Sequence, residues 1–285
     1  MDEKPLPRMI NLGCGIRLHP AWTNADIAPS NPAIIACDLS KAFPFSDESF
    51  DVVYHSNVLE HIRHEHAADF MRECRRILKP RGILRIAVPD LERICRLYLE
   101  NLQRASEYDE EAAARYDWMM LELLDQTVRE RSGGGMLEYL RKTPLPAEEF
   151  IVERIGNEGR GMINWIRSQP ALVPEAPVTH VEKKPRTFWD RLKKIRRGEH
   201  KEELVDRNSA ELAIGRFRLG GEVHQWMYDR FSLSRLMTST GFVSPRLMTP
   251  ETSQIPGWTD YHLETGPDGT VHKPDSFIME CLNAG

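Results

Sequence analysis

The sequence predicts an α/β protein: a mostly parallel sheet of about seven strands interrupted by a large helical insertion. Three observations lead there. Strand and helix signals alternate over the first ninety residues, strand signals nearly vanish between Leu91 and about Arg216, and alternation returns near Glu222. Strands that alternate with helices form parallel sheets with helices on their faces. Sheets of this kind bind ligands at the carboxyl ends of their strands.

The elements follow in order. Arg8–Leu12 is a short strand that runs into Gly13-Cys14-Gly15. Thr23–Ile27 contains Asp26, and Ala33–Cys37 ends at Asp38. Phe50–Tyr54 is a β-branched strand. Ala67, Phe70, Cys74, Ile77 and Leu78 share one helix face at three-to-four spacing, and Lys79-Pro80-Arg81-Gly82 stops that helix. Ile83–Val88 is the next strand, closed by Pro89-Asp90.

In the insertion, Leu91, Ile94, Cys95, Tyr98 and Leu102 make an amphipathic helix. A second runs from Glu110 to Arg131 and is ended by Ser132-Gly133-Gly134-Gly135. Further helices are expected at Ala147–Arg154 and Arg160–Ser168, and Ala171–Pro185, with three prolines, reads as a linker. Beyond the insertion, His224–Tyr228 is expected as a strand, Ser232–Thr240 as a helix ended by Gly241, and Phe242–Met248 and Phe277–Leu282 as strands. The division is therefore a ligand-binding domain from 1–90 and 220–285, with 91–219 as lid, acceptor platform or oligomer interface.

Composition narrows the class. At 285 residues the chain suits one large domain with an insertion. The content is 41% hydrophobic and 28% charged, ordinary for a globular protein, and the net charge of -5 argues against a polyanion binder. No run of about 18 apolar residues is present to span a membrane. Met1-Asp2-Glu3-Lys4-Pro5 has no apolar segment after a basic start, so no secretory signal is expected. Five cysteines lie scattered without a Cys-x-x-Cys pair, the pattern of reduced thiols in a cytoplasmic protein.

The loop after the first strand carries the chemistry. Gly13 and Gly15 let the backbone approach a ligand closely, because glycine lacks Cβ and tolerates positive φ. The dinucleotide fingerprint Gly-x-Gly-x-x-Gly fails, since position 18 is Leu. That turns the loop away from NAD and its pyrophosphate. Only ten residues, Ile16–Ala25, separate Gly15 from Asp26, too few for a full helix and a strand, so a compressed crossover is expected.

Five segments together carry a resemblance: N-L-G-C-G at 11–15, N-A-D-I at 24–27, C-D-L at 37–39, the run from Phe43 to Ile62, and R-I-L-K-P-R-G-I-L-R-I-A-V-P-D at 76–90. They resemble the class I S-adenosylmethionine (SAM)-dependent methyltransferases, in the branch called methyltransferase type 11. Within it the chain is similar to bacterial methyltransferases linked to surface-polysaccharide or glycolipid synthesis, whose ending is matched by 224–242 and 273–280. The resemblance implies a Rossmann-like sheet and SAM as cofactor. Asn11, Gly13, Cys14 and Gly15 would form the cofactor loop. Asp26 would take the ribose hydroxyls, Asp38 and Leu39 would meet the adenine, and His55 and Ser56 would line the site.

Methyl transfer to oxygen or nitrogen often needs a proton removed, and histidine suits that task near neutral pH. His224, His61 and Asp229 are the candidates, His224 foremost because it opens the segment after the insertion. Leu59-Glu60-His61 reads as mainly structural or as part of the cofactor's surroundings. His61, His64 and His66 diverge on a helix, so that run is a poor metal site and no metal is expected.

Val181–Lys201 holds nine Lys or Arg and three acids. Phe188, Trp189, Leu192 and Ile195 fall at helical spacing within it, so 183–201 would make a basic amphipathic helix. Such a helix can lie on an anionic membrane surface, grip phosphates, or pack with its charges solvated. With the resemblance, the reading is a cytoplasmic enzyme, peripheral at the inner membrane face through that helix, methylating a sugar hydroxyl of a surface glycan or its precursor. Two others stand beside it: methylation of a small metabolite or natural product, and a SAM-fold protein that binds without catalysis. Nucleic acid is disfavoured, because no Asn/Asp-Pro-Pro-Tyr/Phe motif follows the fourth strand.

Overall fold

The computed structural model describes residues 6–169, 209 and 211–285. Seven strands form one sheet: β1 (Met9–Leu12), β2 (Trp22–Asp26), β3 (Ile34–Ala36), β4 (Phe50–Ser56), β5 (Leu78–Pro89), β6 (Phe242–Met248) and β7 (Ser276–Asn283). Their order is β3-β2-β1-β4-β5-β7-β6. Neighbours from β3 through β5 pair in parallel, and β7 runs antiparallel to both β5 and β6. This is the Rossmann-like methyltransferase sheet that the resemblance implies. The order turns back between β1 and β4, the place where a parallel sheet opens a crevice at its carboxyl edge.

The helices differ from the expected cover on both faces. Helix α1 (His64–Ile77) buries Phe70, Met71 and Cys74 in the main core, beside Leu12, Val53, Leu84 and Ile86. The compressed crossover holds: residues 15–21 contain turns and no helix. With no helix there, Trp22 and Tyr54 on the opposite sheet face are covered by the segment 250–263 instead. Trp258 sits edge-on to both rings at 6.2 and 5.2 Å, and Ile255 and Leu263 complete this second cluster. Fully buried Arg85 lies over Trp258 at 4.1 Å, pairs with fully buried Glu280 at 2.7 Å, and donates to the Thr249 and Thr252 carbonyls. One ion pair thus fastens the covering segment to β5 and β7.

Helices α2 (Leu91–Ser106), α3 (Glu110–Val128), α4 (Gly134–Leu140) and α5 (Glu148–Ser168) build a separate core around Trp118, Met119, Tyr139 and Ile151. Gly134, expected only to stop a helix, begins α4. The two helices expected at 147–154 and 160–168 are one element with a kink at Gly156, whose φ of 60° and ψ of -149° leave the helical region. A side chain at Gly156 would collide with Pro274 and the His272 carbonyl, so the kink seats α5 on 271–274. Buried Glu122 accepts from Arg154 at 2.5 Å and ties α3 to α5.

The strand expected at 224–228 does not form. The amides of Gln225 and Trp226 donate instead to the Glu60 carbonyl at 2.7 and 3.2 Å, and only Tyr228 makes a bridge, to Asp90. Helix α6 (Arg230–Ser239) follows. The linker 171–185 and the basic helix 183–201 lie outside the described residues. Among the described residues no helix is long and apolar enough to cross a membrane.

Candidate functional site

The turn after β1 is shaped by its own backbone. Gly13 and Gly15 take φ values of 64° and 53°, the left-handed region that favours glycine. The amides of Gly13 and Cys14 donate to the Ala25 carbonyl, and the Gly15 amide donates to the Asp26 carboxylate at 2.8 Å. A Cβ at Gly13 would strike the Val58 side chain and approach Leu39 at 3.6 Å, whereas one at Gly15 would meet nothing within 4 Å. Gly13 is therefore needed for packing, and Gly15 keeps the space before the loop open. Buried Asn11 braces the turn by donating to the Arg17 carbonyl at 2.9 Å.

A cavity of about 770 Å³ opens at this edge of the sheet. Of the residues read from the sequence, Asn11, Gly13, Cys14, Gly15 and Ser56 line it. Tyr54, Asn57, Glu264 and Lys273 add polar walls, and α5 roofs it with Asn157, Glu158 and Gly161. Glu158 reaches Arg17 at 2.7 Å and Lys273 at 3.6 Å, so the insertion is latched across the loop. Tyr54 donates to Glu264 at 2.7 Å, and burial pushes both groups upward in pKa. Burial likewise raises the Cys14 thiol to about 11, leaving it neutral.

Asp38 forms a tight turn next to this edge. Its carboxylate accepts from the Ser40 amide and hydroxyl and pairs with Lys41 at 2.8 Å. Those hydrogen bonds, from Lys41 first and then Ser40, hold it at about 2. His55 does not line the cavity. Side chains alternate along β4, so Tyr54 and Ser56 face the cavity while His55 turns into the core against Phe70, at 5.1 Å between ring centroids. There it is fully buried, has no hydrogen bond, and is held near 3 by desolvation.

The candidate bases separate. Asp229 caps α6: its carboxylate accepts from the amides of Phe231 and Ser232, and Ser232 returns the bond. That carboxylate is committed to a helix end. His61 and His224, 163 residues apart in sequence, meet edge-to-face with ring centroids 4.8 Å apart. Burial lowers both, His224 to about 3, with His61, Arg129 and Lys273 adding to the effect on His224. Beside them sits Glu60, fully buried and raised to about 7 by desolvation; none of the three lines the cavity. Tyr228, also buried, has an unpartnered hydroxyl and is raised to about 12 by burial and then by Glu60. The sequence reads Leu59-Glu60-His61 as mainly structural or as part of the cofactor's surroundings, with His61 a candidate base. The contact with His224 was beyond it, because nothing local announces a pairing over so long a separation.

The cavity suits a nucleoside carrying an amino-acid tail. Its volume lies within the usual ~300–1,000 Å³ range for cofactor sites. The glycine turn admits close backbone approach, Asp26 stands at the end of β2, and the walls carry both signs of charge.

Residues 14–86 match the profile described as a methyltransferase domain. No curated protein matches the chain with significance. Among solved structures, the CurJ carbon methyltransferase aligns with 98% of this chain and 49% of its own, at 11% identity and a TM-score of 0.38. This chain thus spans about half the length of that structure. An S-adenosylmethionine-dependent methyltransferase from Mesorhizobium loti aligns over 30% of this chain and 47% of its own, at 22% identity and a TM-score of 0.24. The trans-methyltransferase CalH, in complex with S-adenosylhomocysteine (SAH), aligns over 29% and 32%, at 20% identity and a TM-score of 0.23. The profile match runs from Cys14 in the turn after β1 to Ile86 within β5, and it supports a methyltransferase domain.

Proposed function

We propose that this chain is a SAM-dependent methyltransferase acting on a hydroxyl group. The observation that carries the reading is the cavity walled by the Gly13–Gly15 turn, anchored through Asp26 and roofed by α5. When bound, SAM supplies an electrophilic methyl group on a sulfonium. The chain's own residues do the rest. Gly13 and Gly15 make room for the cofactor's amino-acid portion, Asp26 accepts from ribose hydroxyls, and Asp38 with Leu39 borders the adenine. The latch from Glu158 to Arg17 and Lys273 holds α5 across the loop, so α5 acts as a lid. The Glu60–His61–His224 cluster, with His224 foremost, draws the proton from the acceptor hydroxyl.

The acceptor we propose is a sugar hydroxyl of a surface glycan or glycolipid precursor, presented on the cytoplasmic side. The sequence resemblance supports this, as does the basic stretch 183–201, which would meet an anionic membrane surface. The test is transfer of a labelled methyl group from SAM to a panel of nucleotide sugars, lipid-linked sugars and small hydroxylated metabolites. Label on a sugar oxygen is the expected result. Label confined to carbon or nitrogen acceptors would overturn the hydroxyl reading. SAM binding with no transfer to any class would favour a binding protein.

A further inference from the structure

Glu60, His61 and His224 bring one ligand atom each within 4.8 Å of one another. Two segments enforce the meeting. A single 3-10 turn, Leu59–His61, follows β4, and the backbone of 224–226 crosses beside it, its amides bonded to the Glu60 carbonyl and, from His224, to the Gln126 carbonyl at 2.9 Å. The side chains are poorly satisfied for so buried a place. Neither carboxylate oxygen of fully buried Glu60 makes a hydrogen bond of normal geometry, and the Asn57 amide reaches it only weakly. His224 is 6% exposed, and its Nδ1 has no partner. His61 alone is oriented: its Nδ1 faces the Val223 carbonyl at 3.4 Å, which as the N–H side leaves Nε2 with a free lone pair.

Polar groups buried without partners cost several kcal/mol unless something binds them. We propose that Glu60, His61 and His224 are the ligands of a divalent first-row transition-metal cation. Two imidazoles and one carboxylate suit Zn²⁺ or Fe²⁺, whereas Mg²⁺ and Ca²⁺ prefer all-oxygen sets. Ligand atoms at roughly 2.0–2.2 Å from a metal lie about 3–3.4 Å apart, so binding draws the three side chains inward by about an ångström. The neighbouring cations do not oppose it outright. Arg129 is balanced by Glu222 at 3.1 Å and Asp125 at 3.9 Å, and Lys273 by Glu158.

Three protein ligands leave a coordination position open, the mark of a catalytic site as against a structural one. Asn57 and Lys273 neighbour Glu60 and also line the cofactor cavity, so the ion lies next to the place of transfer. With the ion bound, the imidazole lone pairs are its ligands and no longer bases, and an acceptor hydroxyl on the ion loses its proton to water more readily. This use rests on the methyl-transfer reading; the binding of the ion does not.

The test is a titration of the full chain, stripped by chelator, with Co²⁺, followed by visible d–d absorption. A saturable band that Zn²⁺ displaces is expected. Glu60→Gln and His224→Ala should weaken Co²⁺ binding ~100-fold or more, since even outer-shell changes cost 10–100-fold. His64→Ala and His66→Ala should leave it unchanged. Far-UV circular dichroism checks each fold, and Glu60→Gln, nearly isosteric, keeps the test open if His224→Ala misfolds. Absence of a band, or a band lost in His64→Ala or His66→Ala but kept in Glu60→Gln, overturns the proposal. Calorimetry of SAH binding to the same stripped protein separates the two claims. SAH binding without Co²⁺ binding defeats the metal site alone, and Co²⁺ binding without SAH binding leaves it standing while defeating the cofactor reading.

Discussion

The Gly15 amide donates to the Asp26 carboxylate at 2.8 Å, and the second oxygen of that carboxylate accepts from the Ala28 amide at 2.9 Å. One side chain at the end of β2 therefore sets the turn after β1. Hydrogen bonds to a charged group contribute about 1.5–3 kcal/mol. Asp26→Ala should weaken SAH binding by roughly 10- to 100-fold by calorimetry. Asp26→Asn keeps an acceptor oxygen and should lose less. Equal affinity in wild type and Asp26→Ala would remove Asp26 from the account.

The two loop glycines should respond differently. Gly13→Ala combines left-handed strain with a collision against Val58 and should cost about 2–4 kcal/mol in urea unfolding. Gly15→Ala has room for its methyl group and should cost about 1 kcal/mol. Adding Val58→Ala to Gly13→Ala should recover part of the loss. Equal costs for the two glycines would mean that packing on Val58 is unimportant.

Arg85 and Glu280 form a buried pair under the 250–263 segment. Removing one partner strands a charge in the core, so Glu280→Ala should destabilise by about 3–5 kcal/mol. Replacing both, as Arg85→Met with Glu280→Leu, should be milder than the single change. Calorimetric melting decides; a double variant worse than either single one would point to the Thr249 and Thr252 contacts as the larger contribution.

Asp38 gives the acid limb of stability a definite sign. Its carboxyl sits near 2 in the fold, below its ordinary 3.8, because Lys41 and Ser40 bond the charged form. A depressed folded pKa stabilises fully above the unfolded value and is lost as pH falls through the folded one. Asp38→Asn should therefore flatten the fall in melting temperature between about pH 4 and pH 2. An unchanged slope would assign acid unfolding to other carboxylates.

Local features were legible and distant ones were not. The glycine turn, the short crossover to Asp26 and the strand at 242–248 follow from chain-local patterns, and the structure has them; the strand expected at 50–54 is present and runs on to Ser56. The expected strand at 224–228 failed because its amides are taken by the Glu60 carbonyl, a partner invisible to periodicity. The resemblance implies that His55 lines the site, but alternation along β4 turns it into the core while Ser56 faces the cavity. The aromatic cover over Trp22 and Tyr54 comes from a segment more than two hundred residues later, replacing the helix that the crossover has no room for. Gly156 was the one local signal of the α5 kink, readable only once its contact with 271–274 is known.

The most direct test of the central claim is calorimetric titration of the purified full chain with SAH. Saturable one-to-one binding, weakened in Asp26→Ala and Gly15→Ala variants that stay folded, is the predicted result. No binding of SAH or SAM to folded protein, or binding that both variants leave untouched, would contradict it.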